Sequence, residues 1–138
     1  MKKIQKKLCS SALLCCLVLG LLTGCGKADK AYKKGIELME DSDYEAAALS
    51  LQSAIDINPE KAEYYITYGM ILNHLEKYDE ALEILDFIDN LNCDIAEVFT
   101  IRADIYKAKG NDSLAKEELE KACSIKPELK QLYIKDGE

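Results

Sequence analysis

Small residues return every 34 positions along this chain: Gly35, Gly69, Ala103 and Gly137, in step with Ala47, Ala81 and Ala115 and with the aromatic set Tyr65, Phe99 and Tyr133. A fixed period of that length argues against one irregular core and predicts a stack of similar supersecondary units, each burying a face against its neighbours. Within each period the apolar residues follow helical spacing, and no strand-like alternation survives. Breaks fall at Ser42-Asp43, Glu76-Lys77 and Gly110-Asn111-Asp112 inside the units, and at Asn58-Pro59, Asn92-Cys93-Asp94 and Lys126-Pro127 between them. Proline lacks the N–H and turns the residue before it away from helix, so Pro59 and Pro127 close one helical pair and open the next. The spacing predicts helices near 27–41, 44–57, 60–75, 78–91, 95–109, 113–125 and 128–135.

Over residues 28–127 this arrangement resembles the tetratricopeptide repeat. That family sets large and small residues at fixed places in each unit, often with proline near the unit's end. Unit one (28–61) supplies Ala31, Lys34, Gly35, Leu38, Ala47, Leu51, Ala54 and Pro59 at those places. Unit two (62–95) supplies Tyr65, Tyr68, Gly69, Leu72, Ala81, Leu85, Ile88 and Cys93, and unit three (96–129) supplies Phe99, Arg102, Ala103, Tyr106, Ala115, Leu119, Ala122 and Pro127. Helix axes approach closely only where small residues lie between them, and the large residues fill the gaps between hairpins. Ala31 and Lys34 are weak at two large places, as suits a terminal unit whose outer flank meets solvent. The resemblance implies an all-α, right-handed superhelical stack of three helix hairpins (28–61, 62–95, 96–129). A C-terminal capping helix over 128–138 would follow, with Leu129, Leu132 and Tyr133 covering the last hairpin.

The first residues read differently. Lys2, Lys3, Lys6 and Lys7 precede an apolar run from Leu8 to Leu22, whose 15 residues fall short of a bilayer-spanning helix, which needs about 20. The run ends Leu22-Thr23-Gly24-Cys25. Positive flank, apolar core, small residues and cysteine in that order resemble the signal peptide and lipobox of bacterial lipoproteins. That resemblance implies a signal over residues 1–24, cleavage before Cys25, and a diacylglyceryl lipid on the Cys25 thiol. The remaining domain, 25–138, would then be anchored to the extracytoplasmic face of a bacterial membrane. Cys93 and Cys123 would be the two thiols left, neither a disulfide framework nor a metal set, with a bridge between them left open.

The first 24 residues hold four of the 18 basic residues and none of the 25 acids, leaving 14 bases against 25 acids beyond them, a net of about −11. Such a balance argues against nucleic acid, whose phosphates need a basic surface. His74 is the sole histidine, no Gly-rich phosphate loop or serine elbow occurs, and acid pairs such as Glu117 and Glu118 fit a solvated face, so neither enzyme activity nor a cofactor is expected.

Function then rests on a surface. In the resembled family the first helices of the hairpins line a concave groove that holds protein or peptide partners. Its places here fall to Tyr32, Ile36, Met39 and Glu40, then Glu63, Ile66, Met70, Asn73 and His74, then Glu97, Thr100, Asp104 and Lys107, with Asp29 and Ala108 at the margins. Ile36, Ile66 and Met70 read equally as packing residues between hairpins. Some members hold a C-terminal carboxylate with a Lys, Asn and Arg clamp; Tyr32, Ile36, Thr67, Glu97 and Ile101 stand there instead. The expected role is a membrane-anchored scaffold for an envelope or secreted protein. Alternatives are a pilotin-like assembly lipoprotein for a pilus or secretion system and a self-associating structural protein.

Overall fold

A computed structural model describes residues 26–89 and 95–133. The leader, Cys25, Cys93 and residues 134–138 lie outside the described residues, as do the side chains of Leu132 and Tyr133, two of the three expected to cap the stack. The described chain is helical throughout: α1 over 26–40, α2 Tyr44–Ile57, α3 Ala62–His74, α4 Tyr78–Asp89, α5 Ala96–Ala108, α6 Asp112–Ile125, a 3₁₀ turn Pro127–Leu129, and α7 Lys130–Tyr133. Three hairpins result, α1/α2, α3/α4 and α5/α6. Contacts of α3 with α2 and of α5 with both α3 and α4 join them into one stack.

Most predicted helices end within one or two residues of the observed ones. The helix expected from residue 60 starts at Ala62, because the Asn58 side chain accepts a hydrogen bond from the Glu60 amide (3.3 Å) and holds a turn ahead of Lys61. The terminal helix opens as a 3₁₀ turn at Pro127.

Small residues fill the tight places. Ala47, Ala54, Ala81 and Ala122 are fully buried, and Ala103 and Ala115 nearly so. Gly69 lies so close to Leu85 that a Cβ there would stand 2.8 Å from Leu85 Cδ2, and Gly35 presses still more tightly on Leu51. Large residues close the gaps: Tyr65, Leu72, Leu85, Ile88, Val98, Ile101 and Ile105 form one cluster, and Leu51 and Ile71 meet over Ala47 in another.

Each hairpin turns through the same device. Ser42 (φ 62°), Glu76 (φ 58°) and Gly110 (φ 74°), spaced by the repeat, all take left-handed backbone. Amides three and two residues past each helix bond back in Schellman fashion: Asp43 N to Leu38 O and Ser42 N to Met39 O, with the same pairs at Lys77/Leu72, Glu76/Asn73, Asn111/Tyr106 and Gly110/Lys107. Asp43 and Asn111 then cap the next helix through their side chains. Glycine adopts this conformation without a Cβ penalty, while serine and glutamate carry one of about 1 kcal/mol. Glu76→Gly should therefore raise stability by about 0.5–1 kcal/mol in urea melts, and Gly110→Ala should lower it by a similar amount.

Candidate partner-binding groove

The first helices α1, α3 and α5 carry the predicted groove residues as stripes at helical spacing. On α1, Tyr32, Ile36 and Met39 are half-buried and Glu40 is exposed. On α3, Glu63, Met70 and His74 are exposed, with Ile66 and Asn73 half-buried. On α5, Glu97, Asp104 and Lys107 are exposed and Thr100 is half-buried, its hydroxyl donating to the Glu97 carbonyl (2.8 Å).

Apolar members divide between packing and display. Met39 rests against the Ala47–Leu51–Ile71 cluster and Ile66 against the Tyr65–Leu85 cluster, so each gives one side to the core. Met70, 38% exposed, stands among the large apolar residues that solvent reaches.

Tyr32 ties the first two stripes together. Its hydroxyl donates to Glu63 Oε1 (3.1 Å) and lies 3.4 Å from Thr67 Oγ1, which itself donates to the Glu63 carbonyl. Burial raises the Tyr32 hydroxyl above its ordinary pKa, so it stays protonated as a donor. Beneath it the Tyr32 and Tyr64 rings lie 4.9 Å apart. Asp29 Oδ1 accepts from both Lys61 Nζ (2.7 Å) and Tyr64 OH (2.6 Å), and those two bonds, the lysine's first, hold its carboxyl below the usual range.

At the same place in unit three, Glu97 accepts from Lys126 Nζ (3.0 Å), which lowers its pKa. Asp104 behaves oppositely: desolvation raises its carboxyl, with Lys107 pulling the other way. Among the described residues no ion pair engages Asp104 or Glu63. Glu97 shares their stripe in the sequence, but Lys126 already occupies it. Sequence reasoning also did not find the stacked Tyr44 and His74 rings (4.7 Å, 8°) at the far end of the stripe, nor the Lys61 and Tyr64 partners of Asp29. Arg102 stands at a place the repeat fills with a large residue; it is buried, and its guanidinium reaches Asp86 (2.8 Å). An arginine at a core place is itself the signal for an acid on a neighbouring helix.

No group of three His, Cys, Asp or Glu among the described residues could hold a metal ion, and no helix among them is long and apolar enough to cross a membrane.

Two tetratricopeptide-repeat profiles match the chain, over residues 38–105 and 96–129. Among solved structures it is similar to YrrB, described as a TPR protein with an unusual peptide-binding site, at 28% identity and TM-score 0.73, covering 80% of this chain and 57% of that one. The Arabidopsis OM64 TPR domain aligns at 14% identity and TM-score 0.73 over 76% of this chain and 87% of its own. The first TPR of Spaghetti (RPAP3), solved with an HSP90 peptide, aligns at 18% identity and TM-score 0.70 over 75% and 82%. No curated protein matches the sequence.

Proposed function

Because the chain belongs to the tetratricopeptide-repeat family over residues 38–129, we propose that it is a scaffold without catalytic turnover, binding a segment of an envelope or secreted protein in its concave groove. The observation that carries this reading is the pairing of solvent-reached Met70 and half-buried Ile36 with Glu63 and Asp104, acids that no ion pair engages among the described residues. Methionine adapts to varied apolar side chains, and acids outside ion pairs favour a segment that also carries basic residues. Cys25, one residue ahead of α1, is the attachment point for the lipid that would keep the scaffold on the extracytoplasmic face of a bacterial membrane.

A pull-down from detergent-solubilised envelopes tests the groove. Ile66→Lys with Met70→Glu should lose the partners recovered by the wild type while its helical circular dichroism is unchanged. Equal recovery by both would move the site off the groove. Once a partner is in hand, Asp104→Lys should act mainly on its association rate and salt dependence. The anchor has its own test: Cys25→Ser should leave the membrane fraction with its fold intact, and a wild type already absent from that fraction would refute the lipid.

A further inference from the structure

Interior units show what the outer flank of a first helix normally does. In unit two that flank carries Lys61, Tyr64, Thr67 and Tyr68, and in unit three Ile95, Val98, Ile101 and Arg102. Tyr64, Thr67, Val98, Ile101 and Arg102 are buried there, and the remaining three are half-buried. Moved back by the 34-residue repeat, the same four places on α1 are Lys27, Lys30, Lys33 and Lys34, and the next place of the flank, buried Ile71 and Ile105 in the interior units, is the exposed Glu37. All four lysines are exposed, and among the described residues none joins an ion pair. The other sides of α1 are occupied. Ala28 and Ala31 pack toward Ala54 and Tyr64, Gly35 toward Leu51, and Asp29 and Tyr32 reach residues of unit two.

Asp29, the acid among residues 26–34, is engaged by Lys61 and Tyr64, with Lys33 a weaker neighbour. In a chain with net charge −7, the outer flank of the first described helix thus carries four ammonium groups against one carboxylate, set beside the residue that would carry the lipid. We propose that this flank seats the stack on anionic phospholipid headgroups. The argument is charge complementarity on a surface that no hairpin covers among the described residues, and the proximity of Cys25 rests on the anchor proposed above. Seated this way, the stack stands end-on, with α1 against the bilayer and the groove running outward along α1, α3 and α5. Each lysine near an acidic surface strengthens binding by about fivefold, and the effect fades beyond a Debye length.

The test uses full-chain protein purified from membranes, with its intact mass read first. An adduct on Cys25 is the separate check on the anchor; without it the anchor reading fails, and the lysine comparison still decides the present one. Transfer from donor vesicles of phosphatidylcholine alone, and of phosphatidylcholine mixed with phosphatidylglycerol, is then timed. Wild type should leave the acidic vesicles at least about tenfold more slowly than the neutral ones, and high salt should erase the difference. Gln at Lys27, Lys30, Lys33 and Lys34 together should erase it as well, with the same helical circular dichroism, and Arg at the four positions should restore it. Gln at Lys77, Lys116 and Lys130, distal controls outside the groove, should change nothing. Equal transfer of wild type from both vesicles, or an equal loss in the distal control, overturns the proposal.

Discussion

Leu85→Ala should lower the unfolding free energy by about 2–5 kcal/mol, because it empties volume that the surrounding helices cannot collapse to fill. Leu85 is fully buried in the cluster shared by units two and three and presses directly on Gly69. Gly69→Ala should be destabilising in the opposite sense, by about 1–3 kcal/mol, since its new Cβ meets Leu85 Cδ2 and Cγ inside a packed layer. The informative measurement is the double variant. With Leu85 truncated the alanine at 69 has room, so the combined loss in urea melts should fall short of the sum of the two singles. Strict additivity would mean that the α3/α4 axes do not make their close approach at this pair.

Tyr64→Ala should be comparably severe, at about 3–5 kcal/mol. This ring is fully buried between units one and two, lies against Tyr32, and delivers its hydroxyl to Asp29. In a stack where each hairpin touches only its neighbours, the damage should be local. Hydrogen exchange over residues 26–40 should accelerate before that of α5 and α6, whereas uniform acceleration would show one cooperative block. Tyr64→Phe keeps the ring and loses the bond to Asp29. Because the folded state holds Asp29 below its ordinary 3.8, the carboxylate's contribution is complete above that value and disappears as pH falls through the lowered one. Thermal melts taken downward from neutral pH should therefore show a shallower acid limb in Asp29→Asn than in wild type.

Periodicity made the fold legible because it reports on backbone packing, and packing is what repeats. Gly35, Gly69, Ala81 and Ala115 mark helix approaches in the sequence as clearly as in space. The left-handed turns at Ser42 and Glu76 were legible only through Gly110, which occupies the same place in unit three. Groove residues could be placed on their stripe, yet their pairings could not be read. Lys126 on Glu97, or Lys61 with Tyr64 on Asp29, depend on long side chains crossing a junction, and such reach leaves no period in the sequence. Arg102 looked like one more large residue until its partner Asp86 lay on the neighbouring helix.

The lysine flank of α1 also bears on polymerisation. Repeat stacks can join head to tail, the front of one molecule accepting the back of the next, and a contact that does not close on itself grows into a fibre. Here the front surface of one copy would have to bury four ammonium groups, and taking charges out of water is costly unless the next copy pairs them well. Growth in that direction is disfavoured at the first step. The α1 flank thus works against head-to-tail growth of the described stack.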